Sequence, residues 1–117
     1  MGSLCINTEM LAAAYDYLQT TPPYCDWNLP DSDDIVFKVY KHRARCADWG
    51  KVKGKHVVRV SSFHIKRTNS LLETMAHELI HIHEDHNKCA GRGEHSAAFR
   101  AWAKEVCAIH GWDEALF

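Results

Sequence analysis

The sequence predicts an α+β domain in which a small antiparallel β-sheet packs on one long helix, with further helices around it. Three observations lead there. A chain of 117 residues is one domain by size, and 46% hydrophobic content with 10% aromatics is enough for a packed core. Two runs of β-branched composition, Ile35-Val-Phe-Lys-Val-Tyr40 and His56-Val-Val-Arg-Val-Ser61, follow one another in mid-chain. After them, Leu71, Leu72, Met75, Leu79, Ile80 and Ile82 recur at roughly helical spacing.

Taken in order, Thr8 can cap a first helix to about Gln19, with Leu11, Tyr15 and Leu18 on its buried face and Pro22-Pro23 stopping it. Thr21 to Asp34, rich in Pro and Asp, reads as an ordered loop whose aromatic residues, Trp27 among them, pack on the core. Turn chemistry at Asp48-Trp-Gly50 and Gly54 separates the two strands. The long helix is expected to start at Ser70, because Ser70-Leu-Leu-Glu73 fits the capping box in which Ser and Glu satisfy each other's backbone amides. The loop Asn87 to Glu94 contains Gly91 and Gly93, which permit sharp turns. His95 then opens a second helical pattern with Phe99, Trp102, Ala103, Val106 and Cys107 as its apolar stripe and Gly111 at its end. No repeat or low-complexity tract interrupts residues 1–117.

A net charge of −1 excludes a strongly basic protein, so bulk charge announces no nucleic-acid binding. Local charge is less even. Lys38, Lys41, His42, Arg43, Arg45, Lys51, Lys53, Lys55, Arg59, Lys66 and Arg67 make the middle basic, flanked by Asp31, Asp33, Asp34, Glu84 and Asp85. Such a hairpin can meet phosphates or an acidic peptide, although lysines also serve simply to keep strand edges from aggregating. Five Cys without a Cys-x-x-Cys pair argue against a zinc ribbon and against a disulfide framework, and fit a reducing, cytoplasmic setting. No apolar stretch suggests a membrane span or a signal peptide.

The chemistry is concentrated in His77-Glu-Leu-Ile-His81. Residues four apart on a helix stand one turn apart on one face, so His77 and His81 can offer nitrogens to one metal ion with Glu78 beside it. Zn²⁺ with an open coordination position lowers the pKa of water to roughly 7, and a carboxylate then takes the proton. A third protein ligand is needed. His95 is the first candidate, brought back by a helix hairpin; Glu84, on the same helical face as His77 and His81, is the rival, although adjacent turns of one helix seldom supply three ligands and room for substrate. His83 and His86 fall near the helix C-terminus, where positive charge complements the dipole, and a second metal site or pH-sensitive element is the other reading. Cys46 and Cys89 are read as small semi-buried side chains, with a ligand or thiol-switch role as the alternative. Tyr15, Tyr40 and His64 are candidates for stabilising an oxyanion, with none assigned.

His77-Glu-Leu-Ile-His81, a Gly-containing loop, and Gly93-Glu-His95-Ser-Ala-Ala-Phe99 together resemble the SprT-like (Spartan-type) metallopeptidases. The resemblance runs from about Ile35 to the C-terminus. It implies a zincin-like fold, one Zn²⁺ per chain held by His77, His81 and His95, and Glu78 as general base in hydrolysis of peptide bonds. It also implies a β-hairpin before the motif helix, with Gly50 to Ser61 similar to its second strand and approach, and an edge strand that pairs with extended substrate. Two departures stand out: Gly-Glu94-His95-Ser replaces the family's usual Gly-His-Gly, and the C-terminal zinc ribbon of many members has no counterpart. The expected partner is a protein or peptide substrate, with DNA-bound proteins as the class the family suggests and direct DNA contact left open. Two rivals are an intracellular peptidase that cuts one regulatory protein and a non-enzymatic zinc-binding module in which the metal staples two helices.

Overall fold

The computed structural model describes residues 5–93 and 95–117, the side chain of Leu116 excepted. Its first helix, α1 (Thr8–Gln19), is capped by Asn7, whose side chain accepts from the Met10 amide at 2.9 Å. The cap is therefore one residue earlier than expected, since Asn and Thr both serve there and Asn ranks higher. Leu11, Ala14, Tyr15 and Leu18 are buried. The following loop contains two 3₁₀ turns, Tyr24–Asp26 and Ser32–Asp34, and it is ordered by its aromatics as the composition suggests. Tyr24 is buried and donates its hydroxyl to the Ala76 carbonyl at 2.8 Å; Trp27 packs edge-on against it at 5.0 Å.

The sheet has three strands, β1 (Ile35–Tyr40), β2 (Ala47–Val52) and β3 (Lys55–Ser61), in the order β1-β3-β2. It is mixed rather than antiparallel: β2 and β3 form an antiparallel hairpin, but β1 lies parallel to β3 on its other side. The expected turn at Asp48-Trp-Gly50 is instead the middle of β2, for two local reasons. Asp48 stands opposite Arg59, which donates Nε and Nη2 to its carboxylate at 2.7 and 2.6 Å, so its charge is satisfied in the strand. Trp49 has strand propensity and donates Nε1 to His56 Nδ1 at 3.1 Å. The reversal falls at Lys53-Gly54, with φ of 52° and 80°, the two-residue turn whose twist suits a hairpin. Ser61, fully buried, ties the connection after β1 to the end of β3, donating to the His42 carbonyl at 2.8 Å and accepting from the amides of His42 and Phe63.

The central element is α2 (Thr68–His86), in which Met75, Ala76, Leu79, Ile80 and Ile82 are completely buried. It starts before Ser70, with Arg67 as N-cap and no side-chain cap bond; Leu71 N–H reaches the Arg67 carbonyl at 3.0 Å. The polar run Thr68-Asn-Ser70 tolerates the helical conformation, which puts Ser70 inside the first turn rather than at the cap position. α3 (Ala97–His110) is capped by Ser96, which accepts from the Phe99 amide at 3.2 Å, and it ends at Gly111 with φ of 78°. Helix α2 touches α1, α3, β2 and β3, so one core joins all layers. The result is a compact α+β fold of three helices and a three-stranded sheet, with a radius of gyration of 13.4 Å, the size of a single packed domain of this length.

Candidate metal centre

Helix α2 carries His77 and His81 one turn apart, and the chain after it returns through a tight loop. Asn87 N–H and Cys89 N–H close onto the His83 and Glu84 carbonyls, both at 2.9 Å, and Lys88 takes up φ of 55°. Gly93 has φ of 83°, a conformation that costs glycine little. At Gly91 a side chain is excluded, because a Cβ there would meet Ser96 Oγ at 2.7 Å and Ser96 Cβ at 2.9 Å. This close approach seats Ser96 as the α3 cap and sets His95 just before it.

The structure brings His77, His81 and His95 together. One nitrogen from each lies within 4.8 Å of the others, and ring centroids form a nearly equilateral triangle of 5.2, 5.1 and 5.3 Å. Phe99 is packed against all three rings, with centroids at 4.9, 4.6 and 4.8 Å, and is itself buried. The indole of Trp49 lies parallel to His81 at 5.8 Å. His77 Nδ1 donates to the Phe117 main-chain oxygen at 2.9 Å, which leaves Nε2 with its lone pair. That Nε2 faces His95 Nε2 at 3.1 Å. Two imidazole nitrogens so placed share either a proton or a cation, and corners of a tetrahedral site with bonds of about 2.0–2.1 Å are about 3.3 Å apart. His81 is held neutral, its pKa lowered to about 4 by burial and by the charges of His77 and His95. Neutral imidazole is the ligating form. These three histidines can hold a metal ion.

Glu78 follows His77 and is buried, 5% exposed, in the wall of a cleft of about 600 Å³ that includes all three histidines. The cleft is lined also by the start of β2 and the residues leading into it, with Arg45, Cys46, Ala47 and Asp48, and by His64 and Phe117. β2 is an edge strand, so one of its sides is unpaired within the sheet.

Other candidates fall elsewhere. Glu84 is buried outside the histidine cluster, in a neighbouring cavity. His83 lies in the last turn of α2 but does not stand in solvent there: it is 7% exposed, stacked on Trp27 at 4.1 Å and 15°, and its pKa is lowered first by burial and then by His86. Asn87 Nδ2 lies 2.9 Å from its Nδ1. Cys46 is exposed on the cleft and Cys89 Sγ lies 3.6 Å from His83 Nε2; neither joins the cluster, and burial raises the Cys89 thiol. Of the three oxyanion candidates, Tyr15 is buried with its hydroxyl on the Pro30 carbonyl and Tyr40 donates to Asp48, which leaves His64 in the cleft. Nothing in the sequence marks Phe99, Trp49 and Phe117 as supports of the histidine cluster. Phe99 stands out in the sequence as part of an apolar stripe and as the end of the Gly93 to Phe99 segment that carries the resemblance, neither of which sets it against three imidazoles, and a tryptophan within a turn-like tripeptide gives no sign that it stacks on a ligand.

No protein-family model matches the chain, and no curated protein matches it. No helix among the described residues is long and apolar enough to cross a membrane.

Proposed function

We propose that this chain is a zincin-like, zinc-dependent metallopeptidase of the SprT-like kind, acting on polypeptides laid along β2. The observation that carries the reading is the convergence of His77, His81 and His95 at the cleft wall that also holds Glu78. Three imidazoles with one side open to a cleft suit a catalytic rather than a structural site, which normally closes all four positions with protein ligands. Bound by these histidines, Zn²⁺ supplies a Lewis acid that brings the pKa of water to about 7 and polarises a carbonyl. Glu78 takes the proton of the attacking water and delivers it to the leaving amine, a role suited to a carboxylate screened from bulk solvent. The unpaired edge of β2 binds the substrate backbone as an added strand. Phe117 fixes the His77 tautomer through its main-chain oxygen, and such outer contacts commonly matter 10–100-fold to metal affinity.

DNA-bound proteins are the proposed substrate class. Exposed cations support it: Arg45 lines the cleft, and next in sequence to its lining residue His64 is the exposed ring of Phe63, with the Arg43 guanidinium at 5.2 Å and Lys66 Nζ at 5.8 Å; Lys41 and Arg67 are exposed as well. Cations around an exposed ring suit phosphate and base contacts. The test is metal content and cleavage by wild type and His95→Ala, using an unfolded casein-type protein and a DNA-bound protein, each with and without DNA. One zinc per chain in wild type, weakened by His95→Ala together with cleavage, is the expected result. Full zinc binding without His95 would sink the ligand assignment, and indifference to DNA would remove the substrate class.

A further inference from the structure

A second cavity, of about 280 Å³, shares His81 with the cleft and is lined also by Trp49, Glu84, Asp85, Ala90 and Gly93. Its charge is unbalanced. Asp85 has a cation of its own, with Lys51 Nζ at 3.0 Å. Glu84 makes no ion pair among the described residues, is only 4% exposed, and has one carboxylate oxygen, Oε2, without a hydrogen-bond partner among them. Burial raises its pKa, as it does for a carboxyl group lacking a counter-charge. A buried polar atom without a partner is costly and calls for an explanation. Across the cavity, Trp49 has spent its one donor on His56, so what the indole offers is its ring. A carboxylate beside an aromatic surface is suited to guanidinium and ammonium groups, through a charged hydrogen bond and a cation–π contact.

We propose that this cavity is a subsite for an arginine or lysine side chain of the bound polypeptide, with Glu84 as its counter-ion and the Trp49 indole as its wall. β2 borders both spaces, with Ala47 and Asp48 on the cleft and Trp49 on the cavity, so an extended chain beside β2 passes both. Rotation about the soft terminal torsion of Glu84 turns Oε2 to the incoming cation. An uncharged side chain of equal length leaves that oxygen unpaired, and the expected discrimination is about 10–100-fold. The arrival of the side chain on a substrate rests on the metallopeptidase reading; the cavity's preference for a cation does not.

The experiment therefore has two readouts on the zinc-loaded protein. In the first, N-acetyl-arginine amide and N-acetyl-norleucine amide are titrated while the indole N–H resonance of Trp49, assigned by its loss in Trp49→Phe, is followed. The arginine probe should bind at least about 10-fold more tightly, and both Glu84→Gln and the cavity-filling Ala90→Leu should abolish the difference. In the second, peptides scanned with arginine or norleucine at each position should show an arginine preference at one position that Glu84→Gln reduces by a similar factor. If no peptide is cleaved, the proteolytic reading fails and the probe titration decides the subsite. Cleavage with no basic preference, or equal responses to the two probes, overturns the subsite and leaves the protease. Should Glu84→Gln fail to fold, Ala90→Leu, which changes an exposed loop residue, decides in its place.

Discussion

Phe99 is the residue whose replacement separates a metal-holding scaffold from ordinary core packing. Its ring lies 4.6 to 4.9 Å from the rings of His77, His81 and His95, and only 4% of the residue is exposed. Phe99→Leu keeps most of the volume and all of the hydrophobicity, so the cost to folding should be about 1–1.5 kcal/mol, as for other shape changes within a core. The metal site should suffer more. Each aromatic contact is worth about 0.5–1.5 kcal/mol beyond area, and losing the flat surface that fixes three ring orientations should weaken metal affinity about 10–100-fold. That range corresponds to about 1.4–2.8 kcal/mol of binding free energy. The assays are competition with a chelator of known affinity at fixed pH, and guanidinium denaturation of the metal-free protein. Metal affinity unchanged alongside the expected loss of stability would refute the reasoning, because Phe99 would then be a core residue that does nothing to orient its neighbours.

Two further outcomes follow from the geometry. Gly91→Ala places a Cβ 2.7 Å from Ser96 Oγ, so it should displace the α3 cap at a cost of about 1–2 kcal/mol and carry His95 away from its partners; thermal melting and chelator competition should both register it, and the double change Gly91→Ala with Ser96→Gly should recover part of the metal affinity. The pH dependence has a definite sign: the unfolded chain protonates His81 near 6.5, but the folded chain holds it neutral until about 4, so folding stability falls as pH drops through that window. The metal-free protein should lose about 3 kcal/mol there, measured by denaturation at successive pH values, and His81→Gln should flatten the slope. Burial lowers the pKa of His56 as well, which adds to the loss in the same direction, while the bond from Trp49 Nε1 needs its Nδ1 unprotonated.

Much of this architecture is written locally. Strand Ile35–Tyr40, the extent of α1, and the Gly111 end of α3 each depend on composition and on one or two cap residues within a turn of the boundary. The histidine cluster was equally legible, because the spacing of His77 and His81 is fixed by helix geometry and the glycines before His95 announce a reversal. What stayed hidden depends on partners distant in sequence. Asp48 and Gly50 look like turn residues until Arg59 and Val57 stand opposite them. His83 looks like a helix-end cation until Trp27, far upstream, stacks on it. The parallel pairing of β1 with β3 cannot be read from either strand alone, since it depends on β2 taking the other edge.

The most direct test compares proteolysis by wild type and Glu78→Gln, matched for zinc content, on an unfolded protein substrate. Equal zinc occupancy and cleavage by wild type alone are expected, with a loss of at least about 100-fold in the variant, the size expected when a general base is removed. Equal cleavage by both proteins, or zinc bound at the three histidines with no cleavage of any substrate, would contradict the proposed function, and the second result would leave a metal that only fastens α2 to the start of α3.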